Sequence, residues 1–169
     1  MSPASAQFGV SAVLARGVTA GIVTGFIVLV PVLILQLVRG VGVIPEMQLA
    51  ASSLMGMAAY AGAGGLIVGT VMHFFVSIMP AIVYALIAAR LPVVNRLAWI
   101  AGPVLGLAVF FFMGMVILPH TAFITPAGVS PMPYVPALLI HMFGLGLPIA
   151  LLVRRGFPRM GVTGKRVAG

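Results

Sequence analysis

Cysteine is absent from this chain and acid is nearly so: Glu46 is the only Asp or Glu, against nine Lys and Arg. The first absence excludes disulfides, thiolate metal sites and cysteine nucleophiles. The second removes the carboxylate pair used in general acid–base hydrolysis. It also leaves any serine–histidine pair, Ser77 and its neighbours included, without an orienting acid. Charge of either sign is scarce, at 6% of residues where a soluble domain carries roughly a quarter. No strand pattern precedes a glycine-rich turn, so a phosphate-cradling loop is missing as well.

Apolar residues are what the chain has: 62% of 169 residues are hydrophobic. So short a chain has too little interior to hide that much apolar surface from water, and a bilayer is the solvent that remains. The formal net charge of +8 does not point to nucleic acid, because such patches gather exposed Lys and Arg side by side. Here the basic residues stand at the edges of apolar runs, which is a signal of membrane topology.

Four runs approach the ~20 residues that cross ~30 Å of hydrocarbon. They cover about 17–38, 59–89, 97–118 and 134–153 of a single membrane domain, 1–169. The second is long enough to tilt or to start in the interface. The fold expected is all-α, four transmembrane helices in a bundle. Four spans put both termini on one side. That side and the 90–96 turn hold Arg16, Arg90, Arg96, Arg154, Arg155, Arg159, Lys165 and Arg166, whereas the other side holds Arg39. This asymmetry predicts cytoplasmic termini in a bacterial inner membrane. The uncharged first fifteen residues, the length of the first run and the lack of an A-x-A site read as a retained helix, not a cleaved signal. The tail "RRGFPRMGVTGKRVAG" reads as a flexible basic segment lying against anionic headgroups.

The connections differ. Pro45 followed by Glu46 in "GVGVIPEMQLAASSLMG" starts a short interfacial helix. "PHTAFITPAGVSPMPYVP" is proline-dense and reads as an ordered loop capping the bundle. "RLPVVNR" is a tight antiparallel turn.

The two halves echo each other. "HFFVSIMP" from His73 and "HMFGLGLP" from His141 share histidine, phenylalanine two residues on and proline seven on. "AGIVTG" at 20–25 and "AGPVLG" at 101–106 share A-G-x-x-x-G. Two spans per half make this a parallel repeat about an axis along the membrane normal, with halves at about 16–90 and 97–155. Gly17, Gly21 and Gly25 share one face of the first helix. Ala98, Gly102 and Gly106 share one face of the third. Such rows let helix backbones approach closely, where dispersion replaces the missing hydrophobic force. Gly65, Gly69, His73 and Ser77 follow at fours on the second helix, and Ala137 and His141 on the fourth, so both histidines should face helix neighbours.

Polar groups within a membrane are costly and often functional. The plainest reading makes His73 and His141 neutral interhelical contacts near Ser77, Thr70 or the carbonyls released by Pro80 and Pro148. A sharper one makes them paired axial ligands of a b-type haem, facing each other across the bundle; only Arg39 is at hand for the propionates. A third joins His120 to Met72, Met79, Met115 or Met142 as a soft copper site, although methionine also fills irregular cores. A fourth is a small transporter, its coupling routed through histidine.

The segments "AGIVTG", "GTVMHFFVS", "AGPVLG" and "LIHMFGLGLP" resemble uncharacterised four-span bacterial inner-membrane proteins of the YagU-like sort. That resemblance covers nearly the whole chain and implies an inner-membrane protein with no catalytic residue to carry over. Small size and exposed small-residue faces lead to the expectation of a structural or accessory subunit of a membrane assembly or a homo-oligomer. Neither an enzymatic role nor a resident cofactor is expected.

Overall fold

The structure, a computed structural model, describes residues 9–42, 44–127 and 131–155. In chain order α1 is Val10–Val38, α2 Ile44–Met55, α3 Ala63–Arg90, α4 Pro92–Arg96 and α5 Ala98–Phe112. A π turn, Met113–Ile117, and a 3-10 turn, Leu118–His120, prolong α5. After the loop come α6 (Tyr134–Leu139), a π turn over Ile140–Gly146, and α7 (Leu147–Arg155). Among the described residues there is no strand. Four helices are long and apolar enough to cross a bilayer: Val10–Val38, Ala63–Arg90, Ala98–His120 and Tyr134–Arg155. This is the all-α, four-helix architecture of a multi-pass membrane protein.

The first helix begins at Val10, seven residues before the run predicted from Gly17. Nothing between Val10 and Leu14 opposes a helix, and a long arginine stem at Arg16 can lie along apolar surface while its head reaches water. Its far end closes in a Schellman turn. Val41 N–H donates to Gln36 O at 2.9 Å and Gly40 N–H to Leu37 O at 3.0 Å, with Gly40 at φ 72°, a left-handed conformation that glycine adopts without strain. The third described element, α3, starts at Ala63 and not near 59. Gly62 at φ 145° breaks the chain there, after a 3-10 turn at Gly56–Tyr60.

Antiparallel pairing follows from the glycines. A methyl group on Gly17 would meet Ile82, one on Gly21 would meet Ile78, and one on Gly25 would meet Phe74. Likewise Gly102 lies against Gly146 and Leu147, and Gly106 against His141 and Met142. The two hairpins join through α1 and the fourth span, where Ala20, Ala81, Ala85, Leu145, Ile149 and Ala150 form one buried cluster. Gly144 approaches Val28 there. Small side chains dominate this core, as expected where backbones must come close to gain dispersion contacts.

The antiparallel order gathers Arg16, Arg90, Arg96, Arg154 and Arg155 at one end and leaves Arg39 at the other. Arg159, Lys165, Arg166 and the basic tail lie outside the described residues. At the basic end the tight turn is locked by Asn95 Nδ2 donating to Ala88 O at 3.1 Å and by Tyr84 OH donating to Val94 O at 3.3 Å.

At the Arg39 end the predicted helix after Pro45 is present as α2. It buries Met47, Leu49 and Ala51 and occupies the glycine face of α3. Gly69 sits directly under the Met47 carbonyl, and Gly65 under that of Ala59. These two glycines therefore serve α2 and its 3-10 extension, not a membrane-spanning neighbour. The proline-dense loop is tied down on α2. Ala122 N–H donates to Ser53 O at 3.0 Å, and Tyr60 OH to Ile124 O at 2.9 Å.

Candidate functional site

His73 is held by α1. A carbonyl can only accept, so the 2.9 Å contact between His73 Nε2 and Gly25 O fixes Nε2 as the protonated nitrogen. In the neutral ring Nδ1 then carries the lone pair. Gly25 is where this bond is possible, because a side chain there would fill the space of the Phe74 ring. Phe74 stands edge-on to both Phe26 and His73, with centroids 4.9 Å and 5.4 Å away. Ser77 is buried, and its hydroxyl donates to the His73 backbone carbonyl at 2.9 Å, not to the ring. Next to His73 a hollow of about 180 Å³ opens between α1, α2 and α3, lined by Leu29, Leu33, Met47, Leu66, Thr70, His73 and Phe74.

His141 is held by its own helix. Its Nδ1–H donates to Ala137 O at 2.8 Å, one turn back, and its ring stands edge-on to Phe110 at 5.2 Å. It lies inside the π turn before Pro148. Proline cannot donate to the carbonyl four residues before it and crowds it as well, and wide turns of this kind recur at functional sites. Neither histidine ring takes the carbonyl released by its own helix's proline.

The two rings thus turn to different partners. An iron between them would have to take Nδ1 of His73 and Nε2 of His141, and the hollow beside His73 has no residue of the fourth span in its wall. As placed, they do not fit a shared haem. His120 closes the third span and is exposed, its Nδ1–H bonded to Val116 O at 2.7 Å. Met72 and Met142 are half-buried, each beside its own span's histidine. Among the described residues no three His, Asp or Glu are grouped to hold a metal.

A second polar centre lies at the Arg39 end, and hydropathy alone concealed it. Gln36 is fully buried. Its Nε2 donates to the Glu46 carboxylate, and its Oε1 accepts from Arg39 Nη1 at 2.7 Å. Arg39 Nη2 continues to Pro131 O at 2.9 Å. The chain's single acid, the one Lys or Arg found at this end among the described residues and a buried amide thus bind α1, α2 and the loop together. The signal was a lone glutamine in the last turn of an apolar run, ten residues before the only acid. Thr24 was missed too; it is fully buried, and its hydroxyl has no hydrogen-bond partner.

Comparison of the chain with family models, curated proteins and solved structures finds no match.

Proposed function

We propose that this chain is a bacterial inner-membrane protein with both termini in the cytoplasm, serving as a structural or accessory subunit of a larger membrane assembly. The observation that carries the subunit role is the third span. Only 11% of its most apolar stretch is buried within the chain, against 28% for the first span. Its glycine face is used on the fourth span, while Trp99, Ile100, Val104, Phe112 and Met115 face outward. A helix held along one stripe is free to take a second protein neighbour, and aromatic and methionine side chains are enriched at such contacts.

Orientation is supported by the five arginines gathered at one end against Arg39 at the other, with loop residues near that single cation. A duplicated two-helix unit is supported by matching contacts. Gly21 on Ile78 corresponds to Gly102 on Gly146, and Gly25 on Phe74 to Gly106 on Met142.

Site-specific photo-crosslinkers at Trp99 and Val104, exposed in cells, test the subunit role. Crosslinked adducts above the monomer mass are expected at these sites and not at Ala81, which is buried in the core. Monomer alone, repeated on native gels in every mild detergent, would overturn it. Reporter fusions at Arg166 and within 120–133 decide the orientation, and a periplasmic signal from the tail would reverse it.

A further inference from the structure

Arg16 does not sit at the end of its helix. Val10 begins α1 six residues earlier (16 − 10), and Gly17 packs on Ile82 of α3. From Ile82 the chain runs eight residues on to Arg90 (90 − 82), about 12 Å of helix. The Arg16 backbone therefore stands roughly 10 Å deeper than that of Arg90, and its stem must carry the charge outward along apolar surface. A groove of about 270 Å³ opens at this depth between α1 and the fourth span, lined by Ala15, Arg16, Thr19, Ala20, Val23 and Leu152. Small side chains at Ala15, Thr19 and Ala20 indent α1 here, whereas Leu14, Val18 and Ile22 beside them are bulky. Ala15, Thr19 and Val23 are exposed, so the groove opens to the bilayer and a lipid must fill it.

The walls select which lipid. Ala15, Ala20, Val23 and Leu152 suit an acyl chain. Arg16 brings a fork of five N–H donors, enough for a partner within the chain and a phosphate at once. Thr19 shares the face of Arg16 one turn deeper, which sets a hydroxyl where the glycerol esters follow the phosphate. Arg155 is exposed and stands three residues after Leu152 on the same helix face, adding a second positive charge above the groove. The chain's one carboxylate, Glu46, is bound to Gln36 at the opposite end, so no acid competes here. We propose that this groove binds one anionic phospholipid of the leaflet at the basic end, its phosphate on Arg16 and Arg155 and one chain along Ala20 and Val23. Basic pockets between spans hold anionic headgroups in this way. A zwitterionic headgroup brings its own cation against the two arginines and is disfavoured. The site depends on the four spans alone and not on the subunit role.

The test is native mass spectrometry of the full chain in mild detergent, given equal amounts of a phosphatidylglycerol and a phosphatidylcholine with the same acyl chains. One retained phosphatidylglycerol per chain is expected, bound at least about fivefold tighter than phosphatidylcholine, the worth of one arginine at an anionic membrane surface. Arg16→Gln should bring the two lipids close to level, and Arg16→Lys should keep most of the preference. Arg90→Gln removes the same charge from the same end but outside the groove, and should change nothing. Thr19→Phe fills the groove and should remove the retained lipid of either kind. Equal retention of both lipids by the unaltered chain would overturn the proposal, leaving ordinary boundary lipid. Full displacement of the lipid by inorganic phosphate would overturn it too, since the acyl chain would then count for nothing. So would an equal fall in preference for Arg90→Gln and Arg16→Gln, the basic end then acting as diffuse charge. The first two of these results come from the unaltered chain, so a variant that fails to fold does not blunt them.

Discussion

The two helical hairpins share a register and fill it alike at one step and differently at the next. Shifting the first hairpin's glycines by 81 (102 − 21) and its partner residues by 68 (141 − 73) superposes the contact points of the second. In the first hairpin Gly17 and Gly21 lie against the backbone of Ile82 and Ile78, while Gly25 faces the Phe74 ring. In the second, Gly102 lies against the Gly146 carbonyl and the Leu147 backbone, and the His141 carbonyl lies where a Gly106 side chain would stand. A π turn goes with this closer approach. The histidines follow suit, His73 bonding across the hairpin and His141 along its own helix. One small-residue pattern therefore supports both a ring-filled contact, at Gly25, and a backbone-filled one, at the equivalent Gly106.

The comparison is sharpest at the equivalent glycines Gly106 and Gly25. Gly106→Ala must push the fourth span's backbone away, and about 3 kcal/mol of destabilisation is expected. Gly25→Ala needs the Phe74 ring to swing aside, and about 1 kcal/mol is expected. Reversible unfolding in mixed micelles measures both; equal losses would break the contrast. Next in size is Gln36→Leu, which takes one donor from Glu46 and one acceptor from Arg39 at the end where only the first hairpin has such a centre. About 2 kcal/mol should be lost, with faster proteolysis of the 121–133 loop and no change in protease sensitivity of the 91–97 turn. A variant as resistant as the parent would show that the centre does not hold the loop. The smallest effect belongs to the histidines. His73→Ala removes an interhelical hydrogen bond worth on the order of 0.6 kcal/mol in a membrane. His141→Ala removes a hydrogen bond within its helix and the edge contact with Phe110, so a loss at His141 well above that at His73 would show that the ring contact, not the hydrogen bond, carries more of the helix pairing.

Hydropathy made the four spans legible to within a few residues, except for the first turns of α1, because length and apolarity are local properties of sequence. Pro45 with Glu46 also made α2 legible, since capping is local too. The partners of a stripe were less so. The periodic row Gly65, Gly69, His73 predicts one neighbour, but α2 takes the glycines and α1 takes the histidine, and spacing on one helix does not say which neighbour ends at which turn. The histidine tautomers depend on which carbonyl happens to be near, which only the folded structure supplies. The π turns were not legible, although Pro148 marks one of them. Gln36 was hidden because averaging over an apolar window suppresses the single residue that differs most from it.

The strap between the 121–133 loop and α2 bears on biosynthesis. Its anchor points on the receiving side, Arg39, Ser52, Ser53 and Tyr60, belong to residues synthesised before the third span begins. Chains are made from the N-terminus and their early parts fold first. The whole receiving surface, in the first hairpin and α2, is therefore synthesised before the loop that docks on it. A circular permutant with the second half ahead of the first would reverse this order, so that the loop is made before the surface it docks on.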